Sequence, residues 1–300
     1  MDCLASFRAA AHLCLVVLCS LILAGTAVAA EPKPIGLALA IGNSHYHNAP
    51  LANPGNDAQG MAEKLRQAGF SVTLRLDADR RQLQETIREF TSALAKSRLP
   101  GVFYYAGHGV QLNWRNFLIP VDARIRNKAD IQSQAVDLGM LLDGLGRARN
   151  PLNIVILDAC RNNPFGADFR LDEPGLSQLD APGGTLLAYA TAPGNTAEDG
   201  EGSHGLYTGT LLQEMQVPGA AVEDVFKRVR LAVRMASQGG QIPWEATSLE
   251  TDFAFHPASS IQDSAKEFEA DLALWLELRQ AQSAEALVAF IRQRPSGKFS

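Results

Sequence analysis

Five short apolar runs alternate along this chain with stripes of apolar residues at helical spacing. That alternation constrains the fold more than any other feature. Ile35 to Ile41 is almost continuously apolar, as a strand covered on both faces must be. Ser71 to Leu76, Gly101 to Ala106, Leu152 to Leu157 and Thr185 to Ala190 read as four further strands. Ala58, Met61, Ala62, Leu65 and Ala68 make a first helical stripe, with Asn56 or Asp57 as its cap. Leu83, Ile87, Phe90 and Leu94 make a second, and Leu138, Leu141, Leu142 and Leu145 a third. Val222, Val225, Phe226, Val229 and Val233 follow the last strand. Strands alternating with helices mean β-α-β units. The expected architecture is an α/β/α sandwich with a largely parallel central sheet. Functional groups in such sheets gather beyond the carboxyl ends of the strands. The two longest stretches without periodicity, Arg161 to Gly184 and Thr191 to Gly205, follow such ends.

The chain ends differ from this core. Leu13 to Gly25 is an apolar run of thirteen residues behind Arg8 and His12, shorter than a membrane-spanning helix needs. It closes in T-A-V-A-A, where Ala27 and Ala29 satisfy the small-x-small rule of secretory cleavage. Residues 1–30 are expected to be a signal peptide, cut after Ala29 or Ala30, leaving a periplasmic or secreted protein without a transmembrane segment. Residues 31–257 are expected to form the main domain. Ala258 to Asp263 reads as a linker. Beyond it, Ile261, Ala265, Phe268, Leu272 and Trp275 form one stripe, and Ala284, Leu287 and Phe290 or Ile291 another. A C-terminal helical hairpin within 258–300 is expected, packed on the main domain or holding a protein partner.

Composition excludes several classes. The formal charge is −5, with no broad basic face, so nucleic acid is not an expected partner. Hydrophobic residues make up 46% of the chain, as in ordinary globular proteins rather than disordered ones. Of the four cysteines, Cys3, Cys14 and Cys19 leave with the signal, and Cys160 alone remains. It is a buried small hydrophobe, an intermolecular bridge or a reactive nucleophile.

Two strands run into residues with chemistry. The third leads into Y-Y-A-G-H-G-V-Q, with His108 between Gly107 and Gly109. The fourth leads into L-D-A-C-R-N-N, with Cys160 two residues past Asp158. A thiol nucleophile needs an imidazole to manage its proton and backbone N–H groups to meet an oxyanion. Glycines beside the histidine would let a substrate backbone approach. Each residue also has a plainer reading: His108 in a turn, Cys160 inert in the core, Asp158 as a cap.

The conjunction resembles a known family. A-I-G-N-S-H-Y (40–46), L-A-N-P-G-N-D-A (51–58), Y-Y-A-G-H-G-V-Q (104–111), L-D-A-C-R-N-N-P-F (157–165) and Y-A-T-A-P-G (189–194) occur in the order of the caspase-like domain of bacterial caspase-family, metacaspase-like cysteine peptidases. The resemblance runs from Ile35 to about Phe255. Cys160 follows His108 by fifty-two residues, close to the caspase spacing of about fifty. The resemblance implies a caspase-like α/β/α sandwich and a cysteine endopeptidase acting on proteins or peptides. Cys160 would be the nucleophile, His108 the base, and the N–H groups of Gly109 and Cys160 the oxyanion hole. It further implies that Asp57 and Asp158 receive an arginine or lysine side chain before the cut. Ala106 departs from a serine frequent in this family, and Arg161 beside the cysteine would favour acidic ligands instead. Some relatives use calcium; no cofactor follows from this sequence itself, and His45 and His47 are a weak metal pair. The alternative function is a non-catalytic caspase-fold scaffold that holds partners through the helical tail. No G-x-S-x-G, H-E-x-x-H or Walker A pattern supports another hydrolase class.

Overall fold

The computed structural model describes residues 33–160, 165, 169, 171, 175–192, 202–257, 261–281 and 288–291. Residues 1–30, expected to be a signal peptide, and Arg161 lie outside them. The larger of two compact units, Pro34–Ser300, holds the sheet. Strand β1 (Gly36–Gly42) pairs in parallel with β2 (Phe70–Leu76) and with β3 (Gly101–Leu112). On the other side of β3 lies β6 (Asn153–Cys160), then β7 (Thr185–Tyr189), both parallel. Strand β8 (Trp244–Thr247) closes that edge antiparallel to β7. Two short strands, β4 (Arg115–Leu118) and β5 (Val136–Asp137), extend the far end of β3 in antiparallel register.

Alternation along the strands divides the core. Ala38, Ala40, Val102, Tyr104, Ile154, Ile156, Leu186 and Ala188 face one side. There they meet helix α1 (Pro54–Gln67), α5 (Leu206–Glu214) and α6 (Val222–Ala236). Leu39, Ile41, Phe103, Tyr105, Val155, Leu157 and Leu187 face the opposite side. There α2 (Arg80–Ser97) and α4 (Gly139–Ala148) cover them. This period-two division makes the expected three layers, a helix layer on each face of a mostly parallel sheet.

Local chemistry sets the helix starts. Asp79 caps α2 reciprocally with Gln82: each side chain accepts from the other's backbone N–H, at 2.7 and 3.0 Å. Helix α1 begins earlier than its apolar stripe suggests. Asn53 stands at the N-cap and Pro54 opens the first turn, where a fixed φ and a missing N–H cost nothing. Neither Asn56 nor Asp57 caps it. Asp57 sits inside the first turn with a fully buried side chain.

The third strand is also longer than expected. It does not stop at Ala106 but continues to Leu112 and turns through Asn113 and Trp114, both left-handed at φ 53° and 60°. Two such residues make the tight hairpin into β4. The glycines around His108 therefore belong to a strand, not a turn. Helix α3 (Lys128–Gln134), β4, β5, α5 and β8 lack clear periodic signals, being four to nine residues long or, for β5, two. Helix α7 (Ile261–Ala281) and helical residues 288–291 form the tail, with the Trp275 and Phe290 rings 6.1 Å apart. Among the described residues no helix is long and apolar enough to cross a membrane.

Candidate active site

A bulge sets the histidine. Ala106 pairs with Asp158 and Gly109 with Cys160, so Gly107 and His108 together oppose Ala159 alone. An extra residue bends a strand locally and re-aims its side chains. Gly107 is required by geometry: its φ is 152°, and an added Cβ would lie 2.5 Å from the Tyr46 hydroxyl and 2.9 Å from that of Tyr105. At Gly109 a Cβ would come within 2.9 Å of the Ala159 Cβ. The room left by these glycines is thus filled by the protein's own tyrosines and by β6, rather than reserved for a substrate backbone.

The bulge is pinned on both sides of its peptide. The His108 N–H donates to the Tyr46 hydroxyl at 2.8 Å. The His108 carbonyl accepts from the Tyr105 hydroxyl and from the Ile119 N–H, each at 3.0 Å. Burial pushes both phenols well above their usual pKa, so both remain neutral donors. The His108 ring packs 4.4 Å from the Tyr46 ring, centroid to centroid. Its Nε2 lies 2.7 Å from the Ala49 carbonyl. A carbonyl only accepts, so Nε2 carries the ring proton, and a neutral His108 has its lone pair at Nδ1. Tyr46→Phe removes the acceptor of a buried N–H, an effect of about 1–3 kcal/mol. The variant is expected to lose a few degrees of Tm and roughly tenfold in any activity that uses His108. Thermal denaturation and steady-state rates check both.

The loop bearing Tyr46 and Ala49 is tethered in turn. Asp77 accepts from the N–H of Ser44 at 2.8 Å, from that of His45 at 2.9 Å and from His45 Nδ1 at 2.7 Å. Fully buried Asn43 accepts from the Ala78 N–H and donates to the Ile119 carbonyl, joining β1, β2 and β4 beneath that loop. Partial burial raises the Asp77 carboxyl. The N–H groups of His45 and Ser44 and the His45 ring outweigh that and hold it below the usual value. A depressed carboxylate stabilises the fold above its unfolded pKa, ~3.9, and loses that contribution as pH falls through its folded value. Wild type and Asp77→Asn should therefore differ in Tm near about pH 6 and converge below about pH 4. Scanning calorimetry across that range checks it; a constant gap would mean the charge is not what holds the loop.

His45 is thus engaged by Asp77. Among the described residues no group of three His, Cys, Asp or Glu side chains is placed to hold an ion.

The two carboxylates lie on the α1–α5 side of the sheet. Asp158 is buried and accepts from the Thr208 hydroxyl at 2.8 Å. That proton being committed, the Tyr104 hydroxyl donates to Thr208, at 2.6 Å. Asp57 accepts from His204 Nδ1 at 2.9 Å and from the Gly205 N–H at 3.1 Å. Burial, then the charge of Asp158, then that of Asp57 push the Tyr104 phenol up, so one hydroxyl feels both carboxylates. Asp158 is joined to Tyr104 through Thr208, whereas Asp57 is held by His204 and Gly205.

Residues 35–254 match the family model described as "Caspase domain". The chain belongs to the caspase family. It is 31% identical over 182 residues to human mucosa-associated lymphoid tissue lymphoma translocation protein 1, covering 59% of this chain and 21% of that protein. The mouse homologue matches at the same identity, with 20% of its length covered. The chain thus spans about a fifth of these relatives.

Within the caspase domain, Cys160 is the last residue of β6 and the register partner of Gly109, next to His108 in sequence. The Cys160 side chain lies outside the described residues. Sequence reasoning missed Tyr105 and Ala49 as anchors of His108, and His204, Thr208 and Tyr104 as partners of the carboxylates. Tyr104, Tyr105 and Tyr46 lie inside the recognised motifs, but nothing in a motif says which way a tyrosine points. His204 and Thr208 fall in a stretch with no helical stripe of its own.

Proposed function

We propose that this caspase domain is a cysteine endopeptidase that cuts protein or peptide chains after arginine or lysine. The observation that carries the reading is the His108 bulge. Its Nε2–H is committed to a backbone carbonyl, and the adjacent Gly109 is registered against Cys160. The Cys160 thiol proton passes to Nδ1 of His108, and the sulfur attacks the scissile carbonyl carbon. The N–H groups of Gly109 and Cys160 stabilise the oxyanion. Collapse breaks the C–N bond while His108 returns the proton to the leaving amine. Water then hydrolyses the thioester, with His108 taking its proton.

Asp158 and Asp57 receive the cationic side chain before the cut, where carboxylates form charge-assisted and bidentate bonds with a guanidinium. Support comes from their burial and from the charge that both exert on Tyr104. The leader over residues 1–30 directs the chain out of the cytoplasm, and residues 31–257 act as the peptidase unit. The helices of 258–300 offer a surface to a protein partner. The test is a panel of fluorogenic peptides with each amino acid before the cleavable bond, run on protein starting at Glu31. Turnover confined to arginine and lysine is expected. No turnover of any peptide overturns the reading.

A further inference from the structure

Helices α2 and α4, which share one face of the sheet, end side by side in cations. The two touch where Gly144 faces Thr91: a Cβ on Gly144 would lie 2.6 Å from the Thr91 side chain. From that contact both run to the same edge, where their ends are tied to each other. The Arg98 guanidinium donates to the Arg149 carbonyl at 2.9 Å, and the Asn150 amide donates to the Leu99 carbonyl at 3.2 Å. Arg98 and Arg149 close the two helices in left-handed conformation, at φ 58° and 49°. Lys96 and Arg147 stand in the last turns before them. All four residues are exposed, and among the described residues none of the four forms an ion pair. A formal charge of −5 over the whole chain thus conceals a local cationic patch.

Helix capping accounts for only part of this. A cation in the last turn offsets the helix dipole, which explains Lys96 and Arg147. It does not explain arginine at both left-handed closing positions, where glycine or asparagine meets less steric cost. Like charges gathered on two adjoining ends repel one another, and an anion from outside relieves them.

The place of the patch in the fold indicates which anion. It lies at the edge where the parallel strands begin: Gly101 of β3 and Asn153 of β6, register partners, follow the two closing arginines closely in sequence. Ile35 stands exposed at the same edge, just before β1, whose Leu37 is registered with Gly101. The chain enters the folded unit there, at Pro34, behind the apolar run Leu13 to Gly25. His108 lies at the other end of β3, about 23 Å away at the rise of a strand.

We infer that this edge is a membrane-facing surface whose arginines and lysine bind the phosphates of anionic phospholipids. Guanidinium groups match phosphate in a bidentate way, and basic clusters beside a membrane-directed segment are drawn to anionic bilayers. Ile35 adds an apolar contact for the interface. Bound so, the sheet directs His108 and Cys160 away from the bilayer. The inference goes beyond the peptidase reading and does not depend on it.

Vesicle co-sedimentation tests it, using protein that starts at Glu31 and so carries the compact unit Pro34–Ser300 whole. Vesicles of phosphatidylcholine alone are compared with vesicles holding about one-third phosphatidylglycerol, at about 50 mM and about 0.5 M salt. Wild type is expected to bind the anionic vesicles at least about tenfold more tightly than the neutral ones, and to lose most of that preference at the higher salt. Arg98→Asn with Arg149→Asn removes two charges while keeping residues that tolerate the left-handed caps. That pair should weaken anionic binding about tenfold or more. Arg98→Lys with Arg149→Lys should retain most of it. Lys227→Gln with Arg234→Gln, on α6 over the opposite face, should leave it unchanged. Equal binding to both vesicles by wild type overturns the inference, and that measurement needs no variant to fold. Undiminished binding by the folded asparagine pair, or an equal loss in the α6 pair, overturns it too. Binding to polyglutamate without binding to anionic vesicles overturns it in favour of an acidic protein partner.

Discussion

Cys160→Ala is expected to fold as the wild type does and to cut peptides at least a thousandfold more slowly. Alanine matches the volume of a cysteine without its sulfur, and the position ends a strand whose pairing is set by the main chain from Asn153 onward. The fold therefore loses little. On the proposed reading the chemistry loses its nucleophile, which neither His108 nor the proposed oxyanion donors would replace. Removing one member of a catalytic pair commonly costs three or more orders of magnitude, and removing the second then adds little. His108→Ala should fall to a similar residual rate, and the double variant no further. The two single variants should separate under alkylation. A thiol beside an imidazole is more acidic and reacts faster with iodoacetamide, so His108→Ala should slow labelling of Cys160 while Cys160→Ala abolishes it. Equal melting temperatures, steady-state kinetics and peptide mapping of the alkylated residue check each part. Full activity in folded Cys160→Ala protein ends the endopeptidase reading.

Why the architecture was legible and the site only partly so follows from the kinds of signal involved. Leu39, Phe103 and Val155 pack on one face, Ala38, Val102 and Ile154 on the other. A strand covered on both faces has no polar side to show, and its continuous apolar run marks it from sequence alone. The helices between such strands bury one stripe each, as Leu83, Ile87, Phe90 and Leu94 do, and period 3.6 reveals them. The bulge has no such signature. Glycines flanking a histidine look like a turn until the partner strand is known, because a bulge is a property of two strands and not of one. The same holds for His204 and Asp57, which lie 147 residues apart in sequence and 2.9 Å apart in space. Asp57 could be picked out as acidic and early in a helix. Its burial, and the fact that Asn53 and Pro54 open the helix instead, depended on the loop before it. That Asp57 and Asp158 both receive a basic side chain was implied by resemblance alone; their burial, one on a helix and the other on a strand of the sheet, depends on the packing of α1 against that sheet.

The second large effect concerns the side chain before the cut. Asp158→Asn is expected to lower kcat/KM for arginine peptides roughly ten- to hundredfold, the loss of about 1.5–3 kcal/mol carried by a hydrogen bond to a charged group. Asparagine is the informative choice. Its amide oxygen can still accept from Thr208, which lies 2.8 Å from the carboxylate and itself accepts from Tyr104. The buried chain of hydroxyls survives, and only the charge is removed. Alanine would leave the Thr208 hydroxyl without that acceptor and mix a folding defect into the result. Asp57→Asn should act in the same direction, its oxygen still taking the Gly205 N–H and His204. The two effects should add to less than their sum, because both carboxylates would meet one guanidinium. An aspartate before the cut would face two like charges, so wild-type protein should leave that peptide uncut. Arg161, next to Cys160, is the residue able to reverse this order: turned toward Asp158 it would neutralise the pocket and admit acidic side chains. Rates on matched peptides differing only in arginine, lysine or aspartate decide between the two, and a preference for aspartate overturns the basic-residue assignment while leaving the Cys160 chemistry untouched.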